Sequence, residues 1–142
     1  MNVRTTGLTL LVTTLLATPA LAYSAQAETI KLHGKFVAEH DASTSPQGGI
    51  KATLDTEKKT FVYTIHYKGL SGPVTAVHLH GPADAGQDAG VMLPITGPYN
   101  GKLHGTLTLS DDQVTTVENG KSYVNLHTDK YGEGEARAQV VH

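Results

Sequence analysis

The sequence contains no cysteine. No disulfide can brace the fold, which must rest on its hydrophobic core, and any transition-metal site has to use histidine and carboxylate rather than thiolate. Cysteine-nucleophile hydrolysis is excluded with it. There is no G-x-S-x-G elbow and no convincing pair of acids, so serine hydrolases and carboxylate-pair glycosidases find no support either. Basic charge forms no block along the chain. The 11 Lys and Arg against 13 Asp and Glu give a net charge of -2, and no aromatic stripe accompanies them, which argues against a nucleic-acid partner. Long apolar runs are missing too. The best candidate, around Leu8 to Leu16, is shorter than the ~20 residues a membrane span needs.

That run follows Arg4 and precedes two small-residue sites, Ala20-Leu21-Ala22 and Ala25-Gln26-Ala27. This is the pattern of a secretory signal peptide. Residues 1–27 are read as a cleaved export signal and residues 28–142 as one domain. The mature protein is then expected in the periplasm or outside the cell, without a membrane anchor. Loss of Arg4 moves the net charge from -2 to -3.

What is present is alternation. Thr29–Glu39 places Ile30, Leu32, Gly34, Phe36 and Ala38 on one face, and Thr60–Lys68 does the same with Phe61, Tyr63, Ile65 and Tyr67. Gly49–Asp55, Val74–His80, Lys102–Leu109, Lys121–His127 and Glu133–Val141 are further strand candidates, with a short one at Val91–Ile95. Period-two patterning broken by Gly, Pro and Asp predicts an all-β sandwich or barrel of seven or eight strands. Ser110-Asp111-Asp112-Gln113 fits a capping box, and with Asn119-Gly120 as a stop it predicts one short helix. Gly81–Asn100 reads as a long loop, of a length that is often functional.

Eight histidines in a chain this size are the most informative feature. Within Val74–His80, Val77 and Leu79 share one face and His78 and His80 the other. Within Lys121–Thr128, Tyr123, Asn125 and His127 oppose Val124 and Leu126. In Glu135–Val140, Arg137 and Gln139 oppose the alanines. His78, His80, His127 and Arg137 therefore fall outside the aliphatic core. Imidazoles at i and i+2, with Cβ atoms on the order of 7 Å apart, can converge on one ion. Three nitrogens suit copper or zinc rather than calcium or magnesium. His33, His66 and His104 also oppose their strands' apolar residues. His66 or His104 is a possible fourth ligand. Asp84 and Asp88 follow the histidine pair, where turn chemistry is the plainer explanation.

Three segments, GLSGPVTAVHLHGPA (Gly69–Ala83), GKSYVNLHT (Gly120–Thr128) and GEGEARAQV (Gly132–Val140), resemble the chordin-type CHRD domain. That family has a G-L-x-G-P-V-T-A-x-H-I-H-G-P-A segment, a Y-V-N-x-H-T segment and a terminal G-E-x-R-G-Q segment. Ala138 stands where the family usually has glycine. A more distant likeness is to copper–zinc superoxide dismutases, which carry G-L-x-x-G before H-x-H, a later G-R-x-x-V-V-H segment, and an arginine near the end. That likeness implies a Greek-key β-barrel with His78, His80 and His127 as copper ligands and Arg137 beside an open coordination position. The bridging histidine, the zinc ligands and the cysteines of those enzymes have no counterpart, so the likeness implies one copper and makes zinc doubtful.

Three functions are compatible with these features. The chain is expected first as an exported copper-binding domain that buffers or delivers the ion. The alternatives are a metal-free structural or protein-interaction module, alone or as a homodimer, and a copper-only superoxide dismutase.

Overall fold

The computed structural model describes residues 28–142; the N-terminal segment read as an export signal lies outside them. Nine strands and one helix follow in order: β1 (Thr29–Lys35), β2 (Val37–Ala38), β3 (Gln47–Asp55), β4 (Thr60–Lys68), β5 (Val74–His80), β6 (Val91–Pro94), β7 (Lys102–Thr108), α1 (Asp111–Glu118), β8 (Ser122–Thr128) and β9 (Ala136–Val140). They form two antiparallel sheets, β1-β3-β4-β7 and β2-β9-β8-β5-β6. β8 returns beside β5, outside the β5–β6–β7 run, which is a Greek-key return.

Alternation produces the core as expected. Leu32, Ile50, Leu54, Phe61 and Ile65 face inward from the first sheet, and Val77, Leu79, Val124, Leu126 and Val140 from the second. Each such side chain contributes about 1.5–3 kcal/mol on burial. The helix closes one end with Val114 and Val117, and its Ser110–Gln113 capping box is formed in full.

Two expectations are refined. The stretch Thr29–Glu39 is not one strand. Phe36 is buried and its N–H bonds to Gly48 O (3.1 Å), and the chain then leaves the first sheet, so β2 pairs with β9 in the second. This break raises the strand count to nine. The structure is also a sandwich rather than a closed barrel. His33 and Val141 exchange backbone bonds of 2.8 and 2.9 Å and join the sheets along one seam. Among the described residues no ladder links β6 to β7 on the other side.

The second sheet is covered on both faces. Every residue of β8 is buried. Even-numbered residues such as Val124 meet the core, while Tyr123, Asn125 and His127 lie beneath the loops 81–90 and 129–134. Glu135 helps to fix this covering. It is fully buried and accepts bonds of 2.6 Å from Ser71 N, Ser71 Oγ and Thr128 Oγ1. The Gly69–Gly72 turn is thereby tied to the end of β8.

Candidate metal centre

β5 and β8 are antiparallel neighbours, with Ala76 opposite His127, His78 opposite Asn125 and His80 opposite Tyr123. The odd residues of β8 and the even ones of β5 from Ala76 onward therefore share the outer face, and His127 lies diagonally across from His78. Diagonal pairs on one face are within reach of long side chains. The rings of His78 and His127 are 4.8 Å apart, those of His78 and His80 5.6 Å, and those of His80 and His127 6.1 Å.

Backbone carbonyls set the tautomers of two of these rings. His80 Nδ1 lies 2.9 Å from Ala89 O, and His127 Nδ1 lies 2.9 Å from Gly132 O. A carbonyl can only accept, so each Nδ1 carries the proton and each Nε2 presents a lone pair. His80 Nε2 is buried and has no hydrogen-bond partner. His127 Nε2 lies 3.0 Å from His78 Nδ1. The three ligand atoms lie within 4.8 Å of one another. Nitrogens sharing an ion at bonds of about 2.0 Å sit roughly 3.3–3.5 Å apart, so modest ring rotations complete the set. Burial, then the positive charge His127 and His80 would carry, lowers the pKa of His78. Burial likewise lowers that of His80, against the opposing pull of Ala89 O. Both effects favour the neutral, ligating form.

The triad faces a cleft of about 280 Å³ whose mouth carries His40, Asp88 and Glu133. That is room for roughly nine waters at about 30 Å³ each, or for an ion with several waters. His40 and Asp41 both adopt positive φ, 51° and 59°, a conformation that costs of order 1 kcal/mol or more per residue and is often found at functional sites. His40 donates from Nδ1 to Gly134 O (3.1 Å), and its Nε2 is 3.4 Å from Asp88 Oδ2. Burial lowers its pKa, but the bonds to Gly134 O and Asp88 and the charge of Glu39 outweigh it, and the net shift is upward. Glu39, His40 and Asp88 form a second group with ligand atoms within 4.8 Å of one another. Glu39 is already occupied by Asn125 Nδ2 (2.8 Å) and Arg137 (3.2 Å).

The other candidate residues lie elsewhere. His66 on β4 and His104 on β7 are exposed on the outer face of the first sheet. The core separates them from the triad, so neither supplies a fourth ligand; His40, Asp88 and Glu133 are the ligand-type side chains that line the cleft with the triad. Asp84 sits in the covering loop, ion-paired with Lys121.

Arg137 does not stand at an open coordination position. It is 4 % exposed, and all five of its N–H groups are engaged. Nε and Nη2 donate to Gln139 Oε1 (3.2 and 2.7 Å), Nη2 also to Asp84 O (2.8 Å), and Nη1 to Gln87 O (2.6 Å) and Glu39 Oε1 (3.2 Å). Its guanidinium stacks 3.5 Å from the centre of the Tyr123 ring. His80 stacks on the same ring at 4.9 Å, and since β5 and β9 flank β8 on opposite sides, Tyr123 separates His80 from Arg137. The alternation of β9 places Arg137 on the correct face. It carries no signal that Tyr123 stands between, nor that His40, from a distant loop, reaches the cleft.

The CHRD domain family model matches residues 29–140, nearly the whole described chain and both strands that carry the triad. The chain belongs to the CHRD domain family. No curated protein and no solved structure matches it significantly. In this CHRD domain the HLHG segment supplies His78 and His80, and the YVNLHT segment supplies His127 and the Asn125 and Tyr123 that flank the triad.

Proposed function

We propose that this CHRD domain binds one copper ion through His78, His80 and His127 and serves to buffer or deliver it in the periplasm or outside the cell. The observation that carries the reading is His80 Nε2, a buried lone pair with no partner, aimed into a cleft beside two other imidazoles. Leaving such an atom unsatisfied costs about 1–3 kcal/mol, which an ion would recover. The donor set is three imidazoles without sulfur, which suits Cu(I) and Cu(II) and binds Cu(II) above Zn(II) in the general order of affinities. The Ala89 and Gly132 carbonyls act as the outer partners that orient ligating histidines. Bound copper would supply one-electron chemistry. The cleft is not arranged to use it on superoxide, because its mouth carries the carboxylates Asp88 and Glu133 and Arg137 has no N–H left for an incoming anion. A field of that sign attracts cations and repels anions.

A second reading rests on the 3.0 Å contact between His78 and His127. If His78 Nδ1 donates to His127 Nε2, the pair is satisfied without an ion, and the segment is part of a structural or protein-binding module. Titration of metal-free protein with copper, in competition with a chelator, separates the two. The expected result is one copper per chain, lost in His78→Ala/His80→Ala/His127→Ala. Since burial lowers the pKa of His78 and His80, affinity should hold down to about pH 6.5 and fall below it as protons compete. Unchanged stoichiometry and affinity in the triple variant would sink the metal reading.

A further inference from the structure

The outer face of the β1-β3-β4-β7 sheet carries a charge pattern that copper binding leaves unused. Alternation turns Lys31, Lys35, Lys51, Lys68 and Lys102 away from the core, and all five are exposed. The register arranges part of this face in two adjacent rows. One runs His33, Lys51, Thr64, His104 and the next Lys35, Gly49, His66, Lys102. Neighbours within a row are about 5 Å apart and the rows about 7 Å. The one carboxylate of these four strands is Asp55, at the far end and paired with Lys58. Lys59 and Lys121 also have acidic partners. Among the described residues none of the five face lysines has one within 4.0 Å. In a chain with a net charge of -2, such a face reflects segregation, not composition.

The face is also concave. Gly49, which brings no side chain to its place in the second row, leaves a depression of about 420 Å³ ringed by His33, Lys35, Lys51, Thr64 and His66, within the range of small-ligand sites. A Cβ on Gly49 would collide with the Gly34 carbonyl, so the approach of the two backbones fixes the floor.

We propose that this face binds an acidic polysaccharide, a sugar chain bearing sulfate, phosphate or uronate groups. The unpaired lysines match the anions, and the depression and the exposed Thr64 and Thr106 match hydroxylated rings. A bilayer fits less well, because Val62 is the one large apolar side chain the face exposes. Single-stranded nucleic acid would need aromatic stacking platforms, and no Phe, Tyr or Trp is exposed on the outward face of these strands.

The test is binding of the mature protein to dextran sulfate, with neutral dextran as control, over a range of salt. Dextran sulfate should bind and neutral dextran should not, with affinity falling as salt rises because lysine–anion contacts release counterions. The variant K35Q/K51Q/K102Q should bind roughly tenfold more weakly or worse at an unchanged melting temperature, a loss equivalent to about 1.4 kcal/mol. K58Q/K59Q/K121Q, with the same change in net charge on other surfaces, should stay within about twofold of wild type. Equal weakening in both variants, equal binding of neutral dextran, or tighter binding to phosphatidylglycerol vesicles or DNA than to dextran sulfate would each overturn the proposal. Copper uptake by K35Q/K51Q/K102Q should be normal, so the outcome is independent of the metal reading.

Discussion

Replacing Arg137 by methionine separates an arginine that serves incoming anions from one that holds the fold. Methionine keeps an apolar stem against Tyr123 and removes the guanidinium. The loss is five donated hydrogen bonds and the stacking of the cation on Tyr123. The carbonyls of Asp84 and Gln87 sit on an exposed loop and can turn to water at little cost. Glu39 is different, because its side chain is 12 % exposed and, among the described residues, Arg137 is its one ion-pair partner beyond a 3.9 Å contact with His40. Breaking a buried pair from one side costs about 3–5 kcal/mol, and the loop's freedom to hydrate places the expected value near the low end, about 3 kcal/mol. At an m-value of about 1.5 kcal/mol/M the urea midpoint should fall by about 2 M. Adding Glu39→Gln should recover about 1–2 kcal/mol, because the orphaned charge goes with it. The Ala89 carbonyl that orients His80 belongs to the released loop, so copper affinity should drop about 10–100-fold. Urea unfolding by circular dichroism measures the stability and chelator competition the affinity. An R137M protein within about 1 kcal/mol of wild type would refute the account of Arg137 as a staple.

Glu135 predicts an acid limb of stability. Burial alone would raise its pKa, but the bonds from Ser71 and Thr128 outweigh this and hold it below the ordinary glutamate value. A depressed folded-state pKa contributes stability that is present above the unfolded value of about 4.3 and is lost as pH falls through the folded one. Glu135→Gln should cost about 1–3 kcal/mol at pH 7 and flatten the decline of stability below about pH 4.5, read from urea midpoints between pH 7 and 3; an unchanged acid slope would count against it. Ser110→Ala removes the cap bond to Gln113 N (3.3 Å) and should cost about 1 kcal/mol, measured as a drop in melting temperature with the copper stoichiometry unaltered.

Much of the architecture was legible because each strand presents one face to a common core. β4 and β5 fall where alternation predicted them, at Thr60–Lys68 and Val74–His80. The capping box at Ser110 reads directly as a helix start because its bonds are local. The split at Phe36 was not legible, since the sequence alternation runs on through Phe36 and Ala38, while in the structure the chain changes sheets between them and Ala38 is exposed on the edge strand β2. Alternation likewise placed His33, His66 and His104 outside the core without saying outside which sheet.

The sequence by itself therefore determined which side of each strand is apolar, that the framework is all-β, and that three histidines oppose the core residues of their strands. Period two is a property of the single strand, and no neighbour is needed to read it. Only the tertiary structure decided that β5 and β8 are adjacent, that loops cover the triad and fix two of its tautomers, and that Arg137 is spent behind Tyr123. It also gathered five lysines, scattered between residues 31 and 102, onto one sheet face. Those facts depend on strand order and loop path, set by contacts between residues far apart in the chain, and no local pattern encodes them.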